Sequence, residues 1–253
     1  MRYNSIAQLY RELESTTKKL EKTGMLADFY SKCRNEELYE AVVLSMGVVY
    51  PRGGKELGIA GEMIKRVIAK VTGASGKEVV TAFKNTGDLG SAVEKLMNKR
   101  RQKTLGKKEL TVDLVFDNLR KLPEISGTGS QEKKVNLIAE LLSSAAPEEA
   151  KYVVRTVLGQ MRIGVAAGLV RDAIAKAFSQ DKKEIEHMYN VIGDYGHVAE
   201  KAKKGKLSTE IELGRPVHVM LADRGGDDIE EAVKSFENAA VEIKFDGFRV
   251  QIH

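Results

Sequence analysis

An internal repeat constrains the fold of this chain more than any other feature of its sequence. When the 253-residue chain is shifted by 106 positions, GIAGEMIKRVIAKVTG (58–73) lies over GVAAGLVRDAIAKAFS (164–179). With the same shift and no gap, TGDLGSAVEKL (86–96) lies over IGDYGHVAEKA (192–202). Two copies are too few for a solenoid. The repeat therefore predicts two helical half-domains, at about 1–97 and 110–206, related by a pseudo-twofold axis and packed into one body.

Hydrophobic periodicity predicts that the chain is helical up to about residue 207. The first segment, SIAQLYRELESTTKKLEKT, has one apolar face and places Asn4 or Ser5 to cap the helix. The stripe in EMIKRVIAKVTG ends at Gly73, a residue type that commonly stops helices. The segments TVDLVFDNLRKL, QEKKVNLIAELLSSA and PEEAKYVVRTVLGQM follow the same pattern, and the chain has only four prolines to interrupt helices.

The character of the sequence changes after about residue 207. STEIELGRPVHVMLA has short extended alternation, and DDIEEAVKSFEN (227–238) predicts one more helix. VEIKFDGFRVQIH (241–253) predicts a strand, an Asp-Gly turn and a second strand. We therefore expect a mainly α chain, with a helical domain at 1–207 followed at 208–253 by a linker and the start of a mixed α/β domain.

Composition limits the classes of protein that remain. The chain is 42% hydrophobic and 30% charged, and no stretch approaches the roughly 18 consecutive apolar residues of a membrane span. The N-terminus lacks the apolar core and cleavage site of a signal peptide, which predicts a cytoplasmic protein. The single cysteine, Cys33, forms no internal disulfide, and the four scattered histidines offer no zinc-type spacing. No metal site is predicted within the chain.

The positive charge of the chain favours a polyanionic partner. The net charge is +5, and two runs are strongly basic, NKRRQKTLGKK (98–108) and KAKKGK (201–206). Many basic proteins bind no nucleic acid, and each run taken alone is explained equally well as solvated loop charge. The charge therefore supports a nucleic-acid partner only weakly.

The repeated loops are the more specific candidates for binding a nucleic acid. A helix N-terminus offers free N–H groups to phosphate oxygens, and glycine lets the backbone approach a phosphate closely. Duplex DNA has local twofold symmetry in its backbone, which equivalent loops of two half-domains could match. We expect Asp88 and Asp194 to act as helix N-caps. The candidate DNA contacts are Gly58, Gly61, Gly87, Gly90, Thr128, Ser130, Arg162, Gly164, Gly193 and Gly196. The alternative is that the glycines only close tight turns.

The segment VEIKFDGFRV contains a candidate catalytic lysine, Lys244. A lysine at a strand end can attack phosphorus if its amine is neutral. Gly247 would let a nucleotide lie close to the turn, and Arg249 would place a charge near ribose or phosphate. The pattern is short, so a hairpin with an exposed lysine–aspartate pair is an equally good interpretation of the motif alone.

The order of several motifs resembles that of the ATP-dependent DNA ligases of the archaeal and eukaryotic type. These are LYRELESTTKKLEKTGMLADF, ELGIA…TG…TGDLG, GTGSQEKK, EAKYVVRTVLGQMRIGVA, GRPVHVMLA and EIKFDGFRVQIH, which together span nearly the whole chain. The resemblance implies a helical DNA-binding domain followed by the truncated start of an α/β nucleotidyltransferase (ATP-grasp-like ligase) domain. On this basis the chain alone is expected to be inactive, and the complete enzyme to seal nicks in duplex DNA during replication, repair and recombination.

The resemblance also implies roles for the residues of the lysine motif. Lys244 would attack the α-phosphate of ATP and carry AMP, with Mg²⁺ neutralising phosphate charge. The nucleotide-binding set would be Glu242 at the adenine and ribose side, Asp246 and Gly247 shaping the turn, and Arg249 near the ribose or phosphate.

Further partners implied by the resemblance are less specific. Gln102–Leu105 occupies the place of a sliding-clamp box, although Gly106 stands where a bulky residue is usual and a basic interhelical loop is the alternative. We also expect a monomer associated with the nucleoid. Two other functions stay open: a non-catalytic module that binds duplex DNA, and another lysine nucleotidyltransferase of the RNA ligase or capping type.

Overall fold

The regular secondary structure of the described residues is helical. The computed structural model describes residues 1–51, 54–99, 109–207, 217, 228–234, 236, 238–240, 242, 243, 245–248 and 250. The helices of the first half are α1 (Tyr3–Ser15), α2 (Lys19–Lys32), α3 (Asn35–Ser45), α4 (Gly61–Thr72), α5 (Gly76–Thr86) and α6 (Leu89–Asn98). Those that follow are α7 (Val112–Lys121), a 3₁₀ turn (Leu122–Glu124), α8 (Ser130–Ser144), α9 (Pro147–Val157), α10 (Ala167–Ala177), α11 (Lys182–Ile192), α12 (Tyr195–Lys203) and α13 (Ile229–Lys234).

The sequence repeat corresponds to a repeat of helices. Helices α10, α11 and α12 each begin 106 positions after α4, α5 and α6. The spacing is 112 positions between α3 and α9, because the loop before α4 is six residues longer than the loop before α10. That longer loop contains the segment PRGGKE, which has no counterpart in the second copy.

The repeated helices pack across the two halves of the sequence. Helix α6 packs on α9, and its counterpart α12 packs on α3. In the same way α4 packs on α8, and its counterpart α10 packs on α2. Each three-helix unit, α4–α6 or α10–α12, therefore covers helices that belong to the opposite half.

The starts of α1 and α7 satisfy each other's backbone groups. The Tyr3 N–H donates to the Leu110 carbonyl at 2.8 Å, and the Val112 N–H donates to the Met1 carbonyl at 3.0 Å. The expectation that Asn4 or Ser5 caps the first helix is therefore wrong, because α1 already begins at Tyr3 and no side chain caps it. Gly73 ends α4 in a left-handed conformation, as predicted.

The core is built from aliphatic side chains with four fully buried tyrosines among the largest members, Tyr3, Tyr10, Tyr30 and Tyr152. The Tyr10 hydroxyl donates to the Leu44 carbonyl at 2.7 Å, and its ring lies 5.0 Å from that of Tyr152. This ring contact joins α1 to α9 inside the core. Within the described ranges, every helix is too short or too polar to cross a lipid bilayer.

The segment after residue 207 differs from the sequence-based expectation. Of the helix predicted at 227–238, the described residues form Ile229–Lys234. Most of STEIELGRPVHVMLA lies outside the described residues, and none of the described residues between 241 and 250 forms a strand, so the predicted hairpin is not found there. A two-stranded hairpin needs an apolar face to pack against. The side chains of Ile243, Phe245, Phe248 and Val250 are exposed, so no described residue supplies that face.

Candidate nucleic-acid interface

Two exposed glycine turns precede α4 and α10. Gly58 and Gly164 both have a φ of +63°, a left-handed conformation that glycine adopts without strain. The N-cap positions that follow are Ala60 and Ala166, and neither side chain can accept a hydrogen bond from the first turn. Each turn therefore leads to a helix N-terminus whose N–H groups have no side-chain cap, an arrangement suited to binding an anion.

A lysine from the opposite half lies against each glycine turn. The Lys22 ammonium, on α2, donates a hydrogen bond to the carbonyl of Ile163. A Cβ added to Gly164 would lie 2.6 Å from this nitrogen, and one added to Gly58 would lie 3.9 Å from the ammonium of Lys134. Sequence reasoning missed both lysines. The 112-position spacing that relates α3 to α9 also relates Lys22 to Lys134, and this was the available signal.

Arg162 joins two of the predicted loops. Its backbone is left-handed, with a φ of +58°, and its side chain is exposed. Nη2 donates to the Gly87 carbonyl at 3.3 Å. Three predicted residues, Gly87, Arg162 and Gly164, are therefore brought to one region at the N-terminus of α10.

The two Gly-Asp-x-Gly turns end one helix and start the next. Gly87 and Gly193 end α5 and α11 with left-handed φ values of +67° and +73°. Asp88 accepts hydrogen bonds from the N–H groups of Gly90 and Ser91, and Asp194 accepts one from the N–H group of Gly196 at 2.8 Å. The prediction that both aspartates are N-caps is confirmed.

The last glycine of each turn is buried against a helix of the opposite half. A Cβ on Gly90 would lie 2.7 Å from the Lys151 carbonyl oxygen, and one on Gly196 would lie 2.6 Å from the ring of Tyr39. Both glycines are buried, and their N–H groups are already bonded to the capping aspartates. The expectation that Gly90 and Gly196 contact DNA is therefore corrected: they allow α6 to approach α9, and α12 to approach α3.

Asp88 also pairs with a cation from the opposite half, Arg155. Burial alone would raise the pKa of Asp88, but hydrogen bonds from Arg155 and Ser91 outweigh it and lower the pKa from 3.8 to about 2. Arg155 bonds Glu14 at 3.1 Å as well, and its Nη1 lies 3.5 Å from the Met161 carbonyl, directly before Arg162. This network, which sequence reasoning also missed, fixes the Asp88 turn beside the Gly164 turn.

The remaining predicted DNA contacts lie at the starts of α8 and α4. Thr128 is exposed, and Ser130 is the first residue of α8, the helix that packs on α4 and carries Lys134. Gly61 is the first residue of α4 and is half-buried, 3.6 Å from Leu89 when a Cβ is added. Thr128, Ser130 and Gly61 therefore lie at the starts of two helices that pack on each other, α8 and α4, and α4 is the helix that follows the Gly58 turn.

The lysine motif is only partly described. Lys244 and Arg249 lie outside the described residues, as do Gln102–Leu105 of the predicted sliding-clamp segment, and Glu242, Asp246 and Gly247 are exposed. The part of the chain that the structure describes contains no group of three or more His, Cys, Asp or Glu side chains placed to hold a metal ion. The candidate site within the described residues is therefore formed by the glycine turns of the helical region.

Comparison with known protein families identifies the family of this chain, and the helical fold agrees with it. The family described as DNA ligase N terminus matches residues 2–175, and the chain belongs to that family.

Individual relatives support the same class. The chain is 39% identical over its whole length to a DNA ligase of Thermococcus onnurineus, of which it covers 46%. It is 40% identical to a DNA ligase of Methanothermobacter thermautotrophicus and 37% identical to one of Archaeoglobus fulgidus, over 99% and 100% of this chain and 46% of each relative. The chain thus spans about half the length of these curated relatives.

Proposed function

We propose that this chain is the duplex-binding N-terminal part of an ATP-dependent DNA ligase. The observation that carries the proposal is the convergence of Gly87, Arg162 and Gly164 at the N-terminus of α10. Uncapped N–H groups, close backbone approach and a cation are the features that bind a phosphate. Membership of the DNA ligase N terminus family supports DNA as the source of that phosphate.

The repeat supports a second contact at the Gly58 turn. In the pseudo-twofold body that we propose, α4–α6 pack on helices of the second half of the sequence, and α10–α12 pack on helices of the first half. Each of the two packed units, or lobes, therefore contains helices from both halves. The two turns, each with a lysine from the opposite half, would then meet two segments of the duplex backbone. Contacts of this kind position a protein without reading bases, so binding should show little sequence preference.

Substitution of the two turn glycines tests this proposal. Gly58→Glu and Gly164→Glu should each weaken binding of the 253-residue chain to nicked and intact duplexes, because each adds a negative charge and blocks the backbone. The affinity of the wild type should fall about a hundredfold or more between 50 and 200 mM salt if a handful of phosphates is neutralised.

Gly73→Glu is the matched control. Gly73 has the same left-handed backbone, with a φ of +71°, is exposed, and lies at the other end of α4. Glutamate there introduces the same strain and charge away from the turn. If Gly58→Glu and Gly164→Glu remain folded and bind as well as Gly73→Glu, the turns are structural, and the basic runs 98–108 and 201–206 become the candidate DNA surface.

The chemistry that we propose for the complete enzyme rests on the lysine motif. With ATP and Mg²⁺ bound, Lys244 would form the covalent bond to AMP, and Glu242, Asp246, Gly247 and Arg249 would hold the nucleotide. In the full-length protein, Lys244→Ala and Lys244→Arg should lack the AMP adduct, since arginine stays protonated. An adduct in Lys244→Ala, detected by mass spectrometry, would contradict the assignment.

The alternatives make different predictions. The 253-residue chain should seal no nicks, because it covers only about half of its relatives. A non-catalytic DNA-binding module would form no AMP adduct even as the full-length protein. Membership of the DNA ligase family argues against an RNA ligase or capping enzyme. A sliding-clamp contact at Gln102–Leu105, a monomeric state and a cytoplasmic, nucleoid-associated location stay predictions.

A further inference from the structure

Lys22 is a buried cation without an opposite charge among the described residues. Its exposed fraction is 6%, and its ammonium donates to one described acceptor, the backbone carbonyl of Ile163. The buried Arg155 differs, because it has carboxylate partners in Asp88 and Glu14. Burying an ammonium in a folded protein is costly unless hydrogen bonds and an opposite charge compensate for its lost hydration. The described surroundings of Lys22 are therefore short of one anion.

The missing anion can reach Lys22 through the glycine turn. The Lys22 nitrogen lies 2.6 Å from the position that a Cβ of Gly164 would occupy, and Gly164 is exposed. Any side chain at this position would displace or cover the ammonium. The turn leads directly into the first turn of α10, which has no capping side chain and no acidic residue. The ammonium and the free N–H groups of α10 thus border the same exposed turn.

We propose that Lys22, whose ammonium is positioned by its bond to the Ile163 carbonyl, binds a backbone phosphate of duplex DNA at the Gly164 turn. This inference rests on the proposed function and assigns that function a residue from the opposite half of the chain. An ammonium has three N–H donors, and the Ile163 carbonyl uses one of them. The phosphate accepts a second donor and supplies the opposite charge that no described residue provides to Lys22.

The counterpart Lys134 lies in a different environment. Its nitrogen is 3.9 Å from the Cβ position of Gly58, and the residue is only half-buried. Water can therefore compensate its charge when DNA is not bound. An anion should therefore stabilise Lys22 more than Lys134, because the Lys22 ammonium loses most of its hydration in the folded chain.

Removing Lys22 should weaken DNA binding without lowering the stability of the DNA-free chain. In Lys22→Met the side chain keeps its approximate volume and loses its charge. Binding of a labelled nicked duplex should weaken about tenfold or more. The slope of log affinity against log salt is negative, and its magnitude should decrease by about one unit. The Tm of the DNA-free chain should stay equal or rise, because an uncompensated buried charge is gone.

Lys32→Met is the matched control. Lys32 lies at the other end of α2, is exposed, and pairs with Asp28 at 2.6 Å. Its removal changes the net charge equally and should leave both the affinity and the salt slope close to wild type. Lys22→Arg retains the charge and should keep the salt slope.

The outcomes separate this inference from the proposed function. A wild-type chain that does not bind duplex DNA would contradict the proposed function itself. Wild-type binding with unchanged affinity and slope in Lys22→Met would overturn the role of Lys22 alone. A fall in both Tm and affinity with an unchanged slope would make Lys22 a structural brace and would also overturn it.

A measurement on the wild type covers the case in which Lys22→Met does not fold. The ammonium ¹⁵N resonance of Lys22 is identified as the signal missing in Lys22→Arg. Titration with duplex DNA should shift this resonance. An unchanged Lys22 resonance in a chain saturated with DNA would overturn the proposal.

Discussion

Arg155 and Asp88 form an ion pair that is buried on both sides. The Arg155 guanidinium donates two hydrogen bonds to the Asp88 Oδ2, from Nε at 2.9 Å and from Nη2 at 2.7 Å. Both side chains are 4% exposed. Arg155 lies on α9, and Asp88 caps α6, so the pair joins the two halves of the sequence beside the Gly164 turn.

Removal of Arg155 should be strongly destabilising. In Arg155→Met the Asp88 carboxylate stays buried without its partner, and loss of one member of a buried pair costs about 3–5 kcal/mol. Urea denaturation of the 253-residue chain measures this cost. Lys18→Met, which breaks the exposed pair with Glu21, is the control and should cost far less, because water screens an exposed ion pair. Equal losses of unfolding free energy in the two variants would show that the buried pair stabilises the fold no more than the exposed pair does.

Asp88 should also make stability depend on pH. Its folded pKa of about 2 lies below the usual 3.8, so its contribution is present above about pH 4 and is lost as the pH falls towards 2. The difference in unfolding free energy between wild type and Asp88→Asn should therefore be constant above about pH 5 and shrink below it. Urea titrations at pH 2.5 to 6 would reveal this. A difference that does not change with pH would contradict the low pKa.

The C-terminal end of α10 carries strain that its counterpart avoids. Ser179 has a left-handed backbone with a φ of +54°, whereas Gly73, 106 positions earlier, has a φ of +71°. Ser179→Gly should raise the free energy of unfolding by about 0.5–1 kcal/mol, and Gly73→Ser should lower it by about 1–2 kcal/mol. Both residues are exposed, so packing should contribute little. Changes of the same sign in the two variants would rule out this explanation.

Gly90 and Gly196 should be sensitive to the smallest side chain. Gly90→Ala places a methyl group 2.7 Å from the Lys151 carbonyl oxygen, and overpacking of this kind costs about 1–3 kcal/mol. Gly196→Ala should behave alike against Tyr39. Gly76→Ala, which meets nothing within 4 Å, should leave the Tm unchanged or slightly higher. A stable Gly90→Ala variant with weakened DNA binding would restore Gly90 as a DNA contact.

Arg162 should contribute one phosphate contact. Arg162→Ala should lower affinity for duplex DNA and reduce the slope of log affinity against log salt by about one unit. Because Arg162 has a left-handed backbone, Arg162→Gly is the companion variant that removes the same charge without strain. Fluorescence anisotropy over a salt series measures both variants. If Arg162→Gly binds with the wild-type slope, Arg162 only fastens the Gly87 turn.

Local structure was largely predictable from sequence. The apolar period of 3.6 residues is a property of each helix alone, and it indicated α4, α7, α8 and α9. Capping is equally local, because Asp88 and Asp194 bond N–H groups two or three residues further on. The first helix shows the limit of this reasoning. Its start is satisfied by Leu110 instead of Asn4 or Ser5, and no local pattern reports a partner that far along the chain.

The functional roles of the glycines and cations required the tertiary structure. Both Gly164 and Gly90 were predicted from the sequence as DNA contacts. Gly164 is exposed beside Lys22, whereas Gly90 is buried against α9. A glycine has no side chain, so only its neighbours in space determine whether its open face meets solvent, a helix or a ligand. Lys22 and Ile163 are likewise 141 positions apart. By itself, the sequence determined most helices, the caps at Asp88 and Asp194, and the repeat, because these depend on neighbours along the chain. Only the tertiary structure decided the exchange of α4–α6 and α10–α12 and the charges it brings together, because these depend on contacts between distant segments.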